Sequence, residues 1–167
     1  MSDTAAIFID GENLFYTLKD LGWRIDFDKF RRYFEEVEKL LIYNAFYYTS
    51  RPFIHGNRRA FLDYLIFHNY TVREKETKEI KDKKGKVIKL KCNLDVELSS
   101  EMVLTIPHYY IAILVSGDSD YVTTVKALRN EGKKIWCVSE KGFSLRELIN
   151  EVDRFISLSK IKDRIKR

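Results

Sequence analysis

The 167-residue chain is 45% hydrophobic and 33% charged, with seven Gly and two Pro, a globular composition that excludes a disordered or fibrous protein. It lacks any run near the roughly 20 apolar residues of a membrane span, its N-terminal MSDTAAIFID has no basic start like that of a signal peptide, and Cys92 and Cys137 have no partner at metal-ligand or redox spacing. The net charge of +5 is local: nine basic against four acidic residues between Thr71 and Lys91 account for all of it.

A second basic stretch, KIKDRIKR at 160–167, leaves the remaining body net negative by four. Local positive charge on an acidic body suits a polyanion, because attraction to phosphate is a local, salt-sensitive term. A solvated hairpin and a soluble tail would produce the same pattern. The length suits one core, and a single domain over 1–167 in the cytoplasm is expected.

In chain order, AAIFID at 5–10 predicts a strand. DFDKFRRYFEEVEKL at 26–40 sets Phe27, Phe30, Phe34 and Val37, then Leu41, at helical steps of three and four. LIYNAFYYTS at 41–50 predicts a second strand whose aromatic residues belong to the core, and GNRRAFLDYLIFHN at 56–69 a helix with Phe61, Leu65 and His68 on one stripe. TVREKETKEI and KVIKLKC flank the polar turn KDKKGK, so 71–92 predicts a basic β-hairpin or two-stranded ribbon. LDVELSSEMVLTI at 94–106 carries Leu94, Leu98, Met102 and Ile106 at helical spacing; YYIAILVS at 109–116 is a strand; SDYVTTVKALRNEG runs as a helix toward Gly132; and KKIWCVS at 133–139 is a strand. Continuous apolar strands alternating with helices imply an α/β layered fold with a mainly parallel sheet and right-handed crossovers.

Two strands end in acidic turns. AAIFID runs into Asp10, Gly11, Glu12 and Asn13, and LVSGDSDYV places Asp118 and Asp120 after an apolar run. In open α/β sheets the loops at the carboxyl ends of strands line the ligand crevice. Asp95 falls in the first turn of a helix on its apolar side, with Glu101 six residues on. Singly, each of these aspartates is explained by turn or cap chemistry. Together they would repel one another unless a cation neutralised them, and hard oxygen ligands suit Mg2+ or Mn2+ bound beside a phosphate.

IFIDGENLF, the middle K-x3-DVEL and VSGDSDYVTTVKALRNEGKKI together closely resemble the NYN domain, in its LabA-like branch of the PIN-like nuclease superfamily. The resemblance spans almost the whole chain, from about Ile7 to about Phe155. It implies a three-layer α/β/α Rossmann-like (PIN-like) sandwich, a divalent metal at clustered acids, and RNA cleavage. On this resemblance Asp10, Asp95, Asp118 and Asp120 match the metal-binding, catalytic acids. Asn13 matches an asparagine that orders the first loop and the phosphate, Lys91 the lysine of the middle motif, and Ser116 a supporting hydroxyl. Where relatives commonly carry a second aspartate after the Asp95 equivalent, this chain has Glu101, a candidate fifth ligand.

Around this set, Arg51, His55, Arg58 and Arg59 in SRPFIHGNRR are candidates for backbone contacts to nucleic acid, while His68 and His108 are expected to be structural. A metal-dependent ribonuclease is the leading expectation. The alternative is a catalytically weak or inactive module that binds RNA or protein. Phosphoryl transfer through an Asp-x-Asp nucleophile is disfavoured, because DGEN has glutamate in the second place. Expected partners are RNA and, left open, a second copy of the chain; no membrane is expected.

Overall fold

The structure is a computed structural model describing residues 2–51, 58–142 and 146–167, with residues 89–91 described by backbone alone. Strand β1 (Thr4–Asp10) leads directly into helix α1 (Gly11–Leu21), and α2 (Phe27–Arg32) continues as a π-helical turn over Tyr33–Val37. Strand β2 (Leu41–Arg51), helix α3 (Arg58–Phe67) and strand β3 (Tyr70–Glu76) follow. Next come the hairpin strands β4 (Lys78–Lys81) and β5 (Val87–Lys91), then α4 (Asp95–Leu104), β6 (Ile111–Val115), α5 (Val122–Asn130) and β7 (Lys134–Ser139). Helix α6 (Arg146–Glu151), strand β8 (Arg154–Ser157) and helix α7 (Leu158–Ile165) complete the described chain.

Six strands form one sheet in the order β3-β2-β1-β6-β7-β8, every neighbouring pair parallel. The order reverses between β1 and β6, so a crevice opens beyond their carboxyl ends. Alternating residues of β1 show why both faces are covered. Ala5, Ile7 and Ile9 enter one core with α1, α2, α3 and α7, whereas Ala6 and Phe8 enter a second core with α4, α5 and α6. This is the expected α/β architecture with helices on both faces.

Several local expectations change. The basic ribbon is shorter than 71–92: β3 joins the parallel sheet as its edge, pairing with β2 from Tyr70 opposite Ala45 to Glu76 opposite Arg51, and within this segment the antiparallel pair is β4 with β5. Alternating polar residues, natural on an edge strand open to water, made β3 resemble a hairpin arm. The KIKDRIKR stretch lies largely within α7, which buries Leu158, Ile161 and Ile165. The stripe predicted through Val37 and Leu41 ends early; both are exposed, and positive φ at Lys39 turns the chain into β2. Within β2, Phe46, Tyr47 and Tyr48 are buried as expected, while Tyr43 is exposed and stacks on His108 with ring centroids 4.7 Å apart.

Candidate metal centre and active site

Asp10 ends β1 and caps α1, its Oδ1 accepting the Asn13 amide at 3.1 Å. Gly11 follows because no larger residue fits. A Cβ there would lie 2.5 Å from the Tyr48 carbonyl oxygen and 2.7 Å from the Tyr47 ring, so its absence lets α1 start flush against β2. Glu12 strengthens the same seam by accepting the Ser50 amide at 3.2 Å.

Across the crevice, Ser116 is 1% exposed at the end of β6. Its hydroxyl donates to Asp10 Oδ2 at 3.3 Å and accepts the Asp118 amide at 3.2 Å. Asn13 Oδ1 accepts the Gly117 amide at 3.0 Å, and Asp118 Oδ1 accepts the Asp120 amide at 2.9 Å. The loop after β6 is therefore tied to the first turn of α1 by short side chains whose amide and hydroxyl groups replace lost water contacts.

Asp95 opens α4, and its own amide donates to Asn93 Oδ1 at 2.7 Å. Asp95, Asp118 and Asp120 each offer a carboxylate oxygen within 4.8 Å of the others. Asp10 stands behind this trio, linked to it by Tyr121. The Tyr121 hydroxyl lies 3.1 Å from Asp10 Oδ2 and 2.9 Å from Asp95 Oδ1. One hydroxyl has one proton to donate. Burial raises the Asp10 pKa above the ordinary carboxylate value despite the donors of Asn13, Tyr121 and Ser116. Burial also raises Asp95, with Asp118 and Asp120 adding like-charge repulsion.

The structure separates Glu101 from this group. Arg73 donates to it twice, at 3.0 and 2.7 Å, and the Tyr48 hydroxyl donates a third bond. Burial works against its charge, but Arg73 and Tyr48 outweigh that and hold its carboxyl below the usual value. Among the other candidates, Arg51 pairs with Glu74 and Glu76, and Arg59 with Asp63 on its own helix. Arg58 donates to Thr49 Oγ1 at 2.7 Å. Lys91 closes β5, but its side chain lies outside the described residues, as does His55 within 52–57. His68 lies 3.2 Å from Asp28, consistent with a structural place.

Sequence reasoning did not single out Tyr121, which is fully buried at the centre of the site. Its only signal was its position directly after Asp118-Ser-Asp120.

The NYN domain model matches residues 4–159 of the chain. The chain belongs to the NYN domain family. This family is part of the PIN-like nuclease superfamily. This NYN protein is 36% identical over 163 residues to the low amplitude and bright protein LabA of Synechococcus elongatus, an alignment covering 97% of this chain and 87% of that one. It also superposes on the crystal structure of a protein of unknown function from Vibrio parahaemolyticus with a TM-score of 0.80 and 22% identity, over 99% of this chain and 97% of that one. At that identity the likeness speaks for the fold alone. Among the described residues, no helix is long and apolar enough to cross a membrane.

Proposed function

We propose that the protein is a metal-dependent ribonuclease whose site is the acidic cluster at the carboxyl ends of β1 and β6. The observation that carries this is the convergence of Asp95, Asp118 and Asp120 to within 4.8 Å, with Asp10 behind them. An all-carboxylate donor set fits a hard divalent cation, and burial, with like-charge neighbours adding to it, raises the pKa values of Asp10 and Asp95, a cost to their charged forms that such a cation would offset. Asp95, Asp118 and Asp120 would hold Mg2+ or Mn2+, which would supply Lewis-acid polarisation of a phosphodiester and a lowered pKa for attacking water.

The chain's own groups do the positioning. Tyr121 fixes the Asp95 carboxylate by a hydrogen bond, and Asp10 fixes Tyr121. Asn13 and Ser116 hold the loop that carries Asp118 and Asp120, so these side chains need little reorganisation when a substrate arrives. Arg58, beside the carboxyl end of β2, is the described arginine of its segment with no carboxylate partner, and we assign it to a phosphate of the substrate. Lys78, Lys81, Lys83, Lys84 and Lys86 of the hairpin supply longer-range attraction to RNA, a contribution that weakens as salt rises.

The test is cleavage of a labelled RNA by the full chain with Mn2+, beside a chelated sample and Asp118→Asn. Cleavage lost in both controls supports the proposal. RNA binding with no cleavage in any sample would instead assign the protein to a binding role.

A further inference from the structure

A cavity of about 560 Å³ opens on the α1 side of the sheet. Leu14 and Leu18 of α1 form one wall, with Phe27, Tyr47, Phe61 and Trp23 around them. This volume falls in the roughly 300–1,000 Å³ range of small-molecule sites, and predominantly apolar walls with few polar groups are typical of such sites.

The charged side chains that line this cavity have one sign. Lys19, Arg24 and Arg167 line it, all three exposed to solvent, and no acidic side chain lines it among the described residues. Tyr47, 7% exposed, completes the wall beside Phe27 and Phe61. The C-terminal segment keeps the charged end in place. Ile25 bridges to Lys166, and the Arg167 amide donates to the Arg24 carbonyl at 2.9 Å.

We propose that this cavity binds a small amphipathic anion: an apolar chain or ring body with a single carboxylate or phosphate head. The apolar body would replace water against the leucine and aromatic walls. The head would remain at the mouth, where Lys19, Arg24 and Arg167 oppose its charge without full desolvation. A nucleobase is a poorer fit, because its polar edge would give up hydrogen bonds to water against walls that are mainly apolar. A neutral apolar molecule would leave the three cations unused. None of Asp10, Asp95, Asp118 and Asp120 lines this cavity.

Calorimetric titration of the full chain with decanoate, decyl phosphate, decanol and AMP tests this, with thermal unfolding as a second readout. One decanoate or decyl phosphate per chain is expected, with a raised Tm, and the tighter of the two identifies the head group. Decanol should bind at least about tenfold more weakly than the better anion. The double variant Lys19→Glu/Arg24→Glu, both at exposed positions, should weaken anion binding about tenfold and leave decanol unchanged. Leu18→Trp should fill the cavity and abolish binding; if it fails to fold, the charge-reversal pair decides alone. Four outcomes overturn the proposal: neither anion saturating at millimolar concentration, decanol matching the anions, AMP binding more tightly than decanoate, or charge reversal changing nothing.

Discussion

Arg73 clamps Glu101 with two hydrogen bonds, of 3.0 and 2.7 Å, and thereby turns an acid of the middle motif into a bracket between β3 and α4. Glu101→Gln should leave Mn2+ affinity unchanged and lower stability by about 1–3 kcal/mol, because Arg73 and Tyr48 lose a charged acceptor. Metal titration beside chemical denaturation separates the two effects. A large loss of metal affinity with unchanged stability would restore Glu101 to the ligand set.

Tyr121→Phe removes the hydroxyl shared by Asp10 and Asp95. Asp10 then keeps only Asn13 and Ser116 as donors among its described contacts, so its pKa should rise further. We expect a stability loss of about 1–3 kcal/mol from the hydroxyl's lost hydrogen bonding to the two half-buried carboxylates and a fall in RNA cleavage at pH 7. Carboxyl titration by NMR reads the first effect directly. An unchanged Asp10 titration would show that Tyr121 does not organise the pair.

The raised carboxyl groups set a pH dependence. Asp10 and Asp95 bind protons more tightly folded than unfolded, so between the ordinary carboxyl pKa and their raised folded values, stability of the metal-free protein falls as pH rises. Mn2+ favours the charged form and should stabilise the chain near neutral pH, by about 2.7 kcal/mol at a hundredfold excess over its Kd. That gain should fade as pH drops through the same window, and Asp118→Asn should remove most of it. Tm measured against pH with EDTA or MnCl2 checks the sign; equal metal stabilisation at every pH would contradict it.

Gly11→Ala should destabilise the protein by about 1–3 kcal/mol, because the new methyl meets the Tyr48 carbonyl and the Tyr47 ring rather than open space. Gly22, where no atom lies within 4 Å of a built Cβ but φ is +76°, supplies the comparison. Gly22→Ala should cost about 1 kcal/mol through backbone strain and leave metal binding intact. Equal metal affinities in the two variants would show that the start of α1 does not set Asp10.

At Glu38, the Arg154 guanidinium donates two hydrogen bonds, of 2.7 and 2.8 Å, and lowers the carboxyl pKa. A depressed carboxyl contributes stability above its unfolded pKa and loses it as pH falls through the folded value. Arg154→Ala should lower Tm at pH 7 and narrow that gap at acid pH. The loss should exceed a charge effect alone, because the guanidinium also covers the Trp136 ring at 4.4 Å. A Tm deficit independent of pH would assign the whole effect to packing.

Apolar runs such as IFID and IAILV determined the central parallel strands, because only strands covered on both faces need continuous hydrophobic sequence. The ordered acidic motifs determined the family and named Asp10, Asp95, Asp118 and Asp120 before any coordinate. Local patterning could not distinguish an edge strand from a hairpin arm in TVREKE, nor a docked helix from a tail in KIKDRIKR, since both choices depend on what the chain meets in space. Tertiary structure alone decided that Tyr121 joins Asp10 to Asp95 and that Arg73, 28 residues away in sequence, takes Glu101 out of the cluster. A carboxylate becomes a ligand or a bracket according to which donor reaches it first, and only the packing of sheet against helix fixes that distance.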